Sequence, residues 1–421
     1  MTATVVALFT ATYLGMALGR FPGLAIDRTG IALVATIALL GLGALDEGQV
    51  VAAIDFPTLF ILFGLMILSA QYAASGFYDW CALRIAQGGM AQGARSPERL
   101  LAVTVAVGGA LSAVLANDVV VFAMTPMLCL GLQARGLDPR PYLIALAGAA
   151  NAGSAATVIG NPQNILIAQS GGLDFWRFLA VCGVPALLGL AAVYAVVLWV
   201  WRGRLERAGA APDTASPAVE GPAVEVDRWQ LRKAVVATVV LLALFASPVR
   251  QDVGVLIVAG AMLVSRRLAT RGMLGMVDWH LLVLFACLFA VNHALGLTGI
   301  PAEMVARLSA AGWWPDRLAV LTPLALLASN TIGNVPAVVL LLKAWAQPPE
   351  GALYGLALLS TLAGNLMLTG SLCNIIVVER AAQAGVRLGF LEHARCGVPM
   401  TLLSMAAAVL WLWATGWMAL A

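Results

Sequence analysis

The stretch "LANDVVVFAMTP" (Leu115–Pro126) lies inside a long apolar run, yet it sets Asn117 and Asp118 side by side. In water such a pair is ordinary. In hydrocarbon it is costly, and an ionisable residue there is a functional hypothesis by default. The reading of the chain therefore turns on which solvent surrounds this stretch.

Composition answers that. The chain has 421 residues, 61% hydrophobic and 11% charged, with a mean hydropathy of +0.92. Soluble domains carry about 25% charged residues. Runs such as "TATVVALFTATYLGMAL", "TGIALVATIALLGLGAL" and "VPALLGLAAVYAVVLWVW" approach or exceed the roughly 18 uncharged residues of a spanning helix. They recur along almost the whole chain, which makes an all-α polytopic membrane protein with about 10 spanning helices the expectation. The first run is too long, and too poor in preceding basic residues, for a cleaved signal peptide. The net charge of +3 is small and scattered, so there is no basic patch for nucleic acid. Cysteines 81, 129, 182, 287, 373 and 396 show no CxxC or Cys/His spacing. They are read as buried small hydrophobes, with no metal site and no cofactor.

One segment is not membrane. "GRLERAGAAPDTASPAVEGPAVEVDRWQ" (203–230) is rich in Pro, Ala and charge and reads as a linker near the midpoint. A midpoint linker invites a search for duplication, and the flanks supply one. "IDFPTLFILFGLMILSAQYAASGF" from Ile54 aligns without gaps on "VDWHLLVLFACLFAVNHALGLTGI" from Val277, with Asp55 on Asp278 and Gly76 on Gly299. Asn117 falls on Asn334, and "IGNPQNILI" (Ile159–Ile167) on "TGSLCNIIV" (Thr369–Val377). Residues 1–202 and 231–421 are thus expected to be two repeats, with 203–230 between them. Basic residues give orientation. Leu45–Asp55 has none, whereas Arg20 and Arg28 precede it and Arg84, Arg95 and Arg99 follow it. The linker region holds Arg202, Arg204, Arg207, Arg228, Arg232 and Lys233, and Arg266, Arg267 and Arg271 follow the second span of the second half. The expectation is inverted repeats with a cytoplasmic linker and both termini periplasmic, in a bacterial-type inner membrane.

Each half breaks its apolar pattern twice. The breaks are "LANDVV" and "NAGSAATVIGNPQN" (Asn151–Asn164) in the first half, "TIGNVPAVV" and "LAGNLMLTGSLCN" (Leu362–Asn374) in the second. Gly, Pro and Asn leave backbone groups unpaired. Such groups are tolerated at membrane depth only against protein or a watery cavity. Paired breaks in register with a repeat point to one binding site between the halves, built from re-entrant hairpins and broken helices.

These residues resemble the ion transporter superfamily, which includes arsenite permeases, citrate and dicarboxylate transporters and sodium/proton antiporters. The similarity is most specific at "ANDVVVFAMTP", "NAGSAATVIGNPQNILI" and "GNVPAVVLLL". In the dicarboxylate branch a Ser-Asn-Thr triplet at each hairpin tip touches substrate and sodium. Aligned through Pro126, those triplets fall on Ala116, Asn117 and Asp118, and on Gly333, Asn334 and Val335. The literal "SNT" at Ser329–Thr331 sits four residues too early and reads as hairpin arm. The second pair of loops implies further site residues: Ser154, Gly160, Asn161 and Asn164, with Thr369, Ser371 and Asn374.

The departures from the dicarboxylate pattern carry meaning. Both asparagines are kept, but the hydroxyls at 116, 118, 333 and 335 are lost. Arsenite permeases resemble this sequence in having Asn-Asp. Asp118 beside the site disfavours a dianion and suits a neutral substrate such as As(OH)3, or a carboxyl that carries the coupling proton. Cys373 could offer a soft ligand, though an incidental buried cysteine is the commoner case. His280 and His393 are expected at a span start and in a loop, His293 deep in a span, and Lys343 snorkelling to the interface.

The reading is a secondary active transporter, not an enzyme, since no nucleophile–base set or HExxH motif is present. It moves a small oxyacid or oxyanion, with arsenite or antimonite efflux as the lead. A sodium- or proton-coupled di- or tricarboxylate carrier is the alternative, and an ion channel a weaker one. Asp118 is the expected proton-coupling residue, with H+ the coupling ion and Na+ the alternative. The expected partners are a small inorganic or carboxylic solute and the lipid bilayer, with a homodimer as one assembly.

Overall fold

The computed structural model describes residues 1–18, 25–86, 96–205, 225–247, 249–301, 303–304, 307, 311–345 and 347–421. Arg20, Arg95, Arg207 and most of the expected linker lie outside the described residues. In the first half the helices are α1 (Thr2–Leu18), α2 (Arg28–Gly41), α3 (Glu47–Ala53), α4 (Phe56–Ala74), α5 (Phe77–Ala86), α6 (Pro97–Val114), α7 (Asn117–Ala134), α8 (Arg140–Ser154), α9 (Pro162–Gly171) and α10 (Phe175–Val200). The second half has α11 (Arg228–Phe245), α12 (Gln251–Leu263), α13 (Thr270–Gly275), α14 (Trp279–Leu297), α15 (Leu318–Thr331), α16 (Asn334–Ala344), α17 (Glu350–Ala363), α18 (Leu372–Gln383) and α19 (Phe390–Ala414). Among the described residues six helices are long and apolar enough to cross a membrane by themselves: α4, α6, α7, α10, α14 and α19. Six more are apolar but shorter, which is what broken helices leave behind.

Equivalent positions in the two halves fold alike down to their torsions. Asp55 (φ −81°, ψ 85°) caps α4 by accepting from Thr58 N–H, and Asp278 (φ −78°, ψ 82°) caps α14 by accepting from Leu281 N–H. A carboxylate there satisfies a first-turn donor that hydrocarbon could not. Both helices have 19 residues, and both are followed by a left-handed glycine, Gly76 and Gly299. The first two helices of each half cross over. α1 and α2 pack on α14, while α11 and α12 pack on α4. Buried polar pairs mark these crossings: Asn292 Nδ2 donates to Tyr13 Oη at 2.8 Å, and Gln71 Nε2 to Gln230 Oε1 at 2.8 Å.

With no apolar driving force between helices in lipid, close packing of small residues joins them. α6 and α8 meet over Gly109 and Gly153, where a Cβ on Gly153 would sit 2.2 Å from the Gly109 carbonyl oxygen. Even alanine at 153 would force these helices apart.

Two ion-pair clusters fix the direction of the long helices. At one end Arg140, at the start of α8, meets Glu392 at the start of α19 (2.9 Å) and lies over the ring of Trp201 just past α10. At the other, Glu350 at the start of α17 meets Arg177 at the start of α10 (3.4 Å), and Arg177 lies over Trp417 just past α19. The start of α10 therefore meets the end of α19 and the reverse, so these equivalent helices run antiparallel. α8 and α17 likewise start at opposite ends. The charges are exchanged between the clusters while the geometry repeats.

One sequence expectation fails here. His393 is not in a loop: it sits in the first turn of α19, 4% exposed, with Nε2 3.2 Å from the Asn365 carbonyl. α19 begins at Phe390 because Glu392 reaches back to accept from Gly389 N–H.

Candidate functional site

The four sequence breaks lie against one another, the first tip on the α8–α9 loop, the second on the α17–α18 loop, and the two loops on each other. Leu115 and Ala116 separate α6 from α7, and Ile332 and Gly333 separate α15 from α16. Gly333 has φ +98°, a torsion that side chains resist, so the second tip needs a glycine. Ser329, Asn330 and Thr331 close the last turn of α15, so the literal "SNT" is part of the arm. The other two breaks join α8 to α9 and α17 to α18.

Their loops are held by two asparagines doing the same work 210 residues apart. Asn164 Nδ2 donates to the carbonyls of Ser154 (3.2 Å) and Thr157 (2.9 Å). Asn374 Nδ2 donates to those of Gly364 (2.9 Å) and Met367 (3.1 Å), each 210 residues further on. The halves then exchange bonds in matched pairs. Asn151 Nδ2 donates to Asn374 Oδ1 at 3.3 Å, as Thr361 Oγ1 donates to Asn164 Oδ1 at 3.4 Å. Ser371 Oγ donates to Asn151 Oδ1 at 2.9 Å, as Asn161 Nδ2 donates to Thr361 Oγ1 at 3.3 Å. Asn365 joins through its Oδ1, which accepts from Asn151 at 2.7 Å. All these side chains are buried. A buried network this well satisfied is rigid.

The first tip is latched to this network. Asn117 N–H donates to the Gly160 carbonyl (3.2 Å), and Asn117 Nδ2 to Ser154 Oγ (3.4 Å). A Cβ on Gly160 would lie 2.3 Å from the Ser154 carbonyl oxygen, so the loop closes only on glycine. In the second tip Asn334 Oδ1 accepts from Val335 N–H (3.0 Å), as Asn117 Oδ1 accepts from Asp118 N–H (3.0 Å). Among the described residues no hydrogen bond ties the Asn334 N–H to Gly370, so the halves differ at this point.

Two cavities reach the tips. The first, about 600 Å3, is walled by α4, α7, the start of α9, the start of α14 and α18, and it contains Asp118 and Asn161. The second, about 520 Å3, contains Asn334, Thr369 and Ser371. Asp278, Leu281 and Ile376 face both. Asn117, Ser154, Gly160, Asn164 and Asn374 line neither, and the structure gives them backbone-holding partners instead.

The first cavity carries Asp79, Asp118 and Asp278 against a single arginine, Arg380. The Arg380 guanidinium carbon lies 4.1 Å from the ring centre of Phe122, and its Nη1 donates to Gln383. Asp118 Oδ1 accepts from Cys373 Sγ across the interface of the halves, at 3.1 Å. All six cysteines are buried and unpaired, but Cys373 alone touches a carboxylate of the cavity among the described contacts. Sequence reading missed Thr361, Asn365, Asp278 and Arg380. The offset of 210 could have found Thr361, since it pairs with Asn151. Among the described residues no group of three or more His, Cys, Asp or Glu is placed to hold a metal.

Comparison with known proteins follows the same lines. A family model described as citrate transporter (CitMHS) matches residues 8–352. A 46 kDa membrane protein of Mycobacterium leprae is 29% identical over 434 residues, 98% of each chain. The silicon efflux transporter LSI3 of rice is 27% identical, covering 92% of this chain and 93% of its own. A putative transporter arsB of Dictyostelium discoideum is 22% identical, covering 92% and 87%. Among solved structures MtrF of Neisseria gonorrhoeae, described among antimetabolite efflux pumps, superposes with a TM-score of 0.60 at 12% identity over 98% of this chain and 94% of its own. That likeness shows a shared fold. With more than three quarters of its length matched by the family model, this chain belongs to the citrate transporter family: a multi-pass membrane transporter, not an enzyme.

Proposed function

We propose that the protein is a proton-coupled secondary carrier that exports a small neutral oxyacid, with arsenite or antimonite in the hydroxide form as lead substrate and Asp118 as the proton carrier. The observation that carries this reading is the charge of the first cavity, whose walls carry three carboxylates, one of them Asp118 at the hairpin tip, against one arginine. Two unit charges about 4 Å apart repel by about 4 kcal/mol at an effective dielectric of about 20. Each close carboxylate contact would thus weaken a polyanion by about a thousandfold. A neutral hydroxide escapes that penalty and can hydrogen-bond to amides and hydroxyls. The names of two relatives, a silicon efflux transporter and a putative arsB transporter, support a substrate of this kind.

The remaining parts of the reading fit a carrier. Residues 1–202 and 231–421 serve as inverted repeats joined by a cytoplasmic linker at 203–230, in a bacterial-type inner membrane. The antiparallel course of α10 and α19 supports the inversion. Asn334 holds substrate from the second tip, Asn117 holds the first tip and Asp118 in place for it, and Asn161, Thr369 and Ser371 contribute from the loops. Ser154, Gly160, Asn164 and Asn374 shape those loops. The polycarboxylate reading is favoured by the description of the family, but in the first cavity it has only Arg380 to set against three carboxylates. Counterflow in proteoliposomes loaded with arsenite, antimonite, silicate, citrate or malate, with and without sodium, tests the choice. Sodium-independent counterflow of arsenite or antimonite is expected. Citrate or malate counterflow alone would replace the oxyacid by a carboxylate, and flux without counterflow would make the protein a channel.

A further inference from the structure

Away from the transport site, a groove of about 390 Å3 runs between α11 and α12. Trp229, Arg232, Lys233, Val236 and Val240 recur at spacings of three and four and so share one face of α11. Ile257 and Ala261 of α12 form the opposite wall. Val236, Val240 and Ile257 are 61%, 45% and 58% exposed, so the slot faces outward, toward the bilayer. From Trp229 to Val240 the helix rises roughly 16 Å, enough to accompany much of one acyl chain. Beyond its first turn the slot is lined only by Val, Ile, Ala and Met.

The mouth has the opposite character. Lys233 Nζ donates to the carbonyls of Met262 (3.0 Å) and Val264 (2.9 Å), which pins it there and leaves one of its three N–H donors free. Arg232 is exposed and makes no ion pair among the described residues. Arg266 and Arg271 stand near the same end of α12, while the acidic Asp227 is taken by Arg267 at 3.6 Å. The exposed indole of Trp229 suits the headgroup level. We propose that this groove binds an anionic phospholipid, its phosphate held by Arg232 and Lys233 and one acyl chain lying between α11 and α12. A cationic mouth over an apolar, bilayer-facing slot matches such a molecule at both ends. A free phosphate would leave the slot unused, and a zwitterionic lipid would leave the cationic excess unbalanced.

The test uses the full chain purified in detergent, read by melting temperature and native mass spectrometry. Dioleoyl phosphatidylglycerol, dioleoyl phosphatidylcholine and inorganic phosphate are the probes. Phosphatidylglycerol should raise the melting temperature and persist as an adduct, while the other two should do neither. Arg232→Gln at the mouth and Ala261→Trp in the slot should each weaken the phosphatidylglycerol response about tenfold. Arg232→Gln alone decides if the tryptophan variant does not fold. Equal responses to phosphatidylcholine or phosphate, or unchanged responses in the variants, would overturn the proposal. So would a native dimer that Ala261→Trp dissociates, which would make the groove a contact between copies.

Discussion

At the scale of single residues, the two tip asparagines have the same local bond and different surroundings. Asn117 is buried and tied to Ser154 and Gly160, whereas Asn334 is half-buried and faces the second cavity. Their replacement by alanine is therefore expected to differ in kind. Asn334→Ala should weaken substrate binding by about 1–2 kcal/mol, or roughly five- to thirtyfold, with little change in melting temperature. Asn117→Ala should lower both affinity and melting temperature, because it also frees the tip from its latch. Isothermal titration and thermal melts on the two variants check this, and wild-type affinity in Asn334→Ala would remove it from the site. The pair Asn117–Asp118 was legible in the sequence because polar residues stand out in an apolar run. Asp278 was legible only as a repeat marker. Its exposure to both cavities depends on the start of α14 lying between them, a matter of tertiary placement that no local pattern records.

At the scale of elements, the broken helices depend on buried asparagines more than on their loops. Asn164 satisfies two carbonyls left open by the end of α8 and the following turn. Asn164→Ala would leave the Thr157 carbonyl without a donor in a site closed to water, at about 1–3 kcal/mol, while the Ser154 carbonyl keeps Asn161 Nδ2 at 3.3 Å. The melting temperature of Asn164→Ala should fall by more than that of Asn334→Ala, and Asn374→Ala should match Asn164→Ala, since it leaves the Gly364 carbonyl without a donor while the Met367 carbonyl keeps the Gly370 N–H. Equal stability of all three variants would show that the loops hold without these brackets. The breaks themselves were readable, because Gly, Pro and Asn interrupt apolar periodicity wherever they cluster. The division of labour within a break was not: the family pattern marks Asn161 and Asn164 alike, but only Asn161 reaches a cavity. His393 belongs to α19 and not to a loop because Glu392 caps the helix at Gly389, a side-chain contact that hydropathy does not encode.

At the scale of the whole molecule, the matched clusters Arg140–Glu392–Trp201 and Glu350–Arg177–Trp417 give the two ends of the bundle the same construction with exchanged charges. Exposed pairs of this kind contribute only about 0–1 kcal/mol each, so they align the long helices more than they stabilise the fold. The proposed orientation in the membrane rests on the basic residues, and it can be tested directly. The six native cysteines are buried, so a single cysteine introduced by Ser216→Cys in the linker, outside the described residues, gives a clean signal. It should resist an impermeant thiol reagent in intact cells and label after lysis. Labelling in intact cells would reverse the orientation, and with it the side to which the two cavities open. The proposed duplication rests, in the sequence, on three weak alignments in order. The swap of α1–α2 and α11–α12 between halves was invisible, because it is a matter of packing partners, which hydropathy does not encode.

On the proposed function Asp118 couples the solute to protons, and gradient-driven accumulation in proteoliposomes measures that coupling. Wild-type protein should accumulate arsenite against its gradient when a pH gradient is imposed, and should be indifferent to sodium. Asp118→Asn fills the same volume and can still accept a hydrogen bond from Cys373, so it should keep exchange of arsenite while losing accumulation. Accumulation by Asp118→Asn under the same pH gradient, or wild-type accumulation driven by sodium alone, would contradict the account.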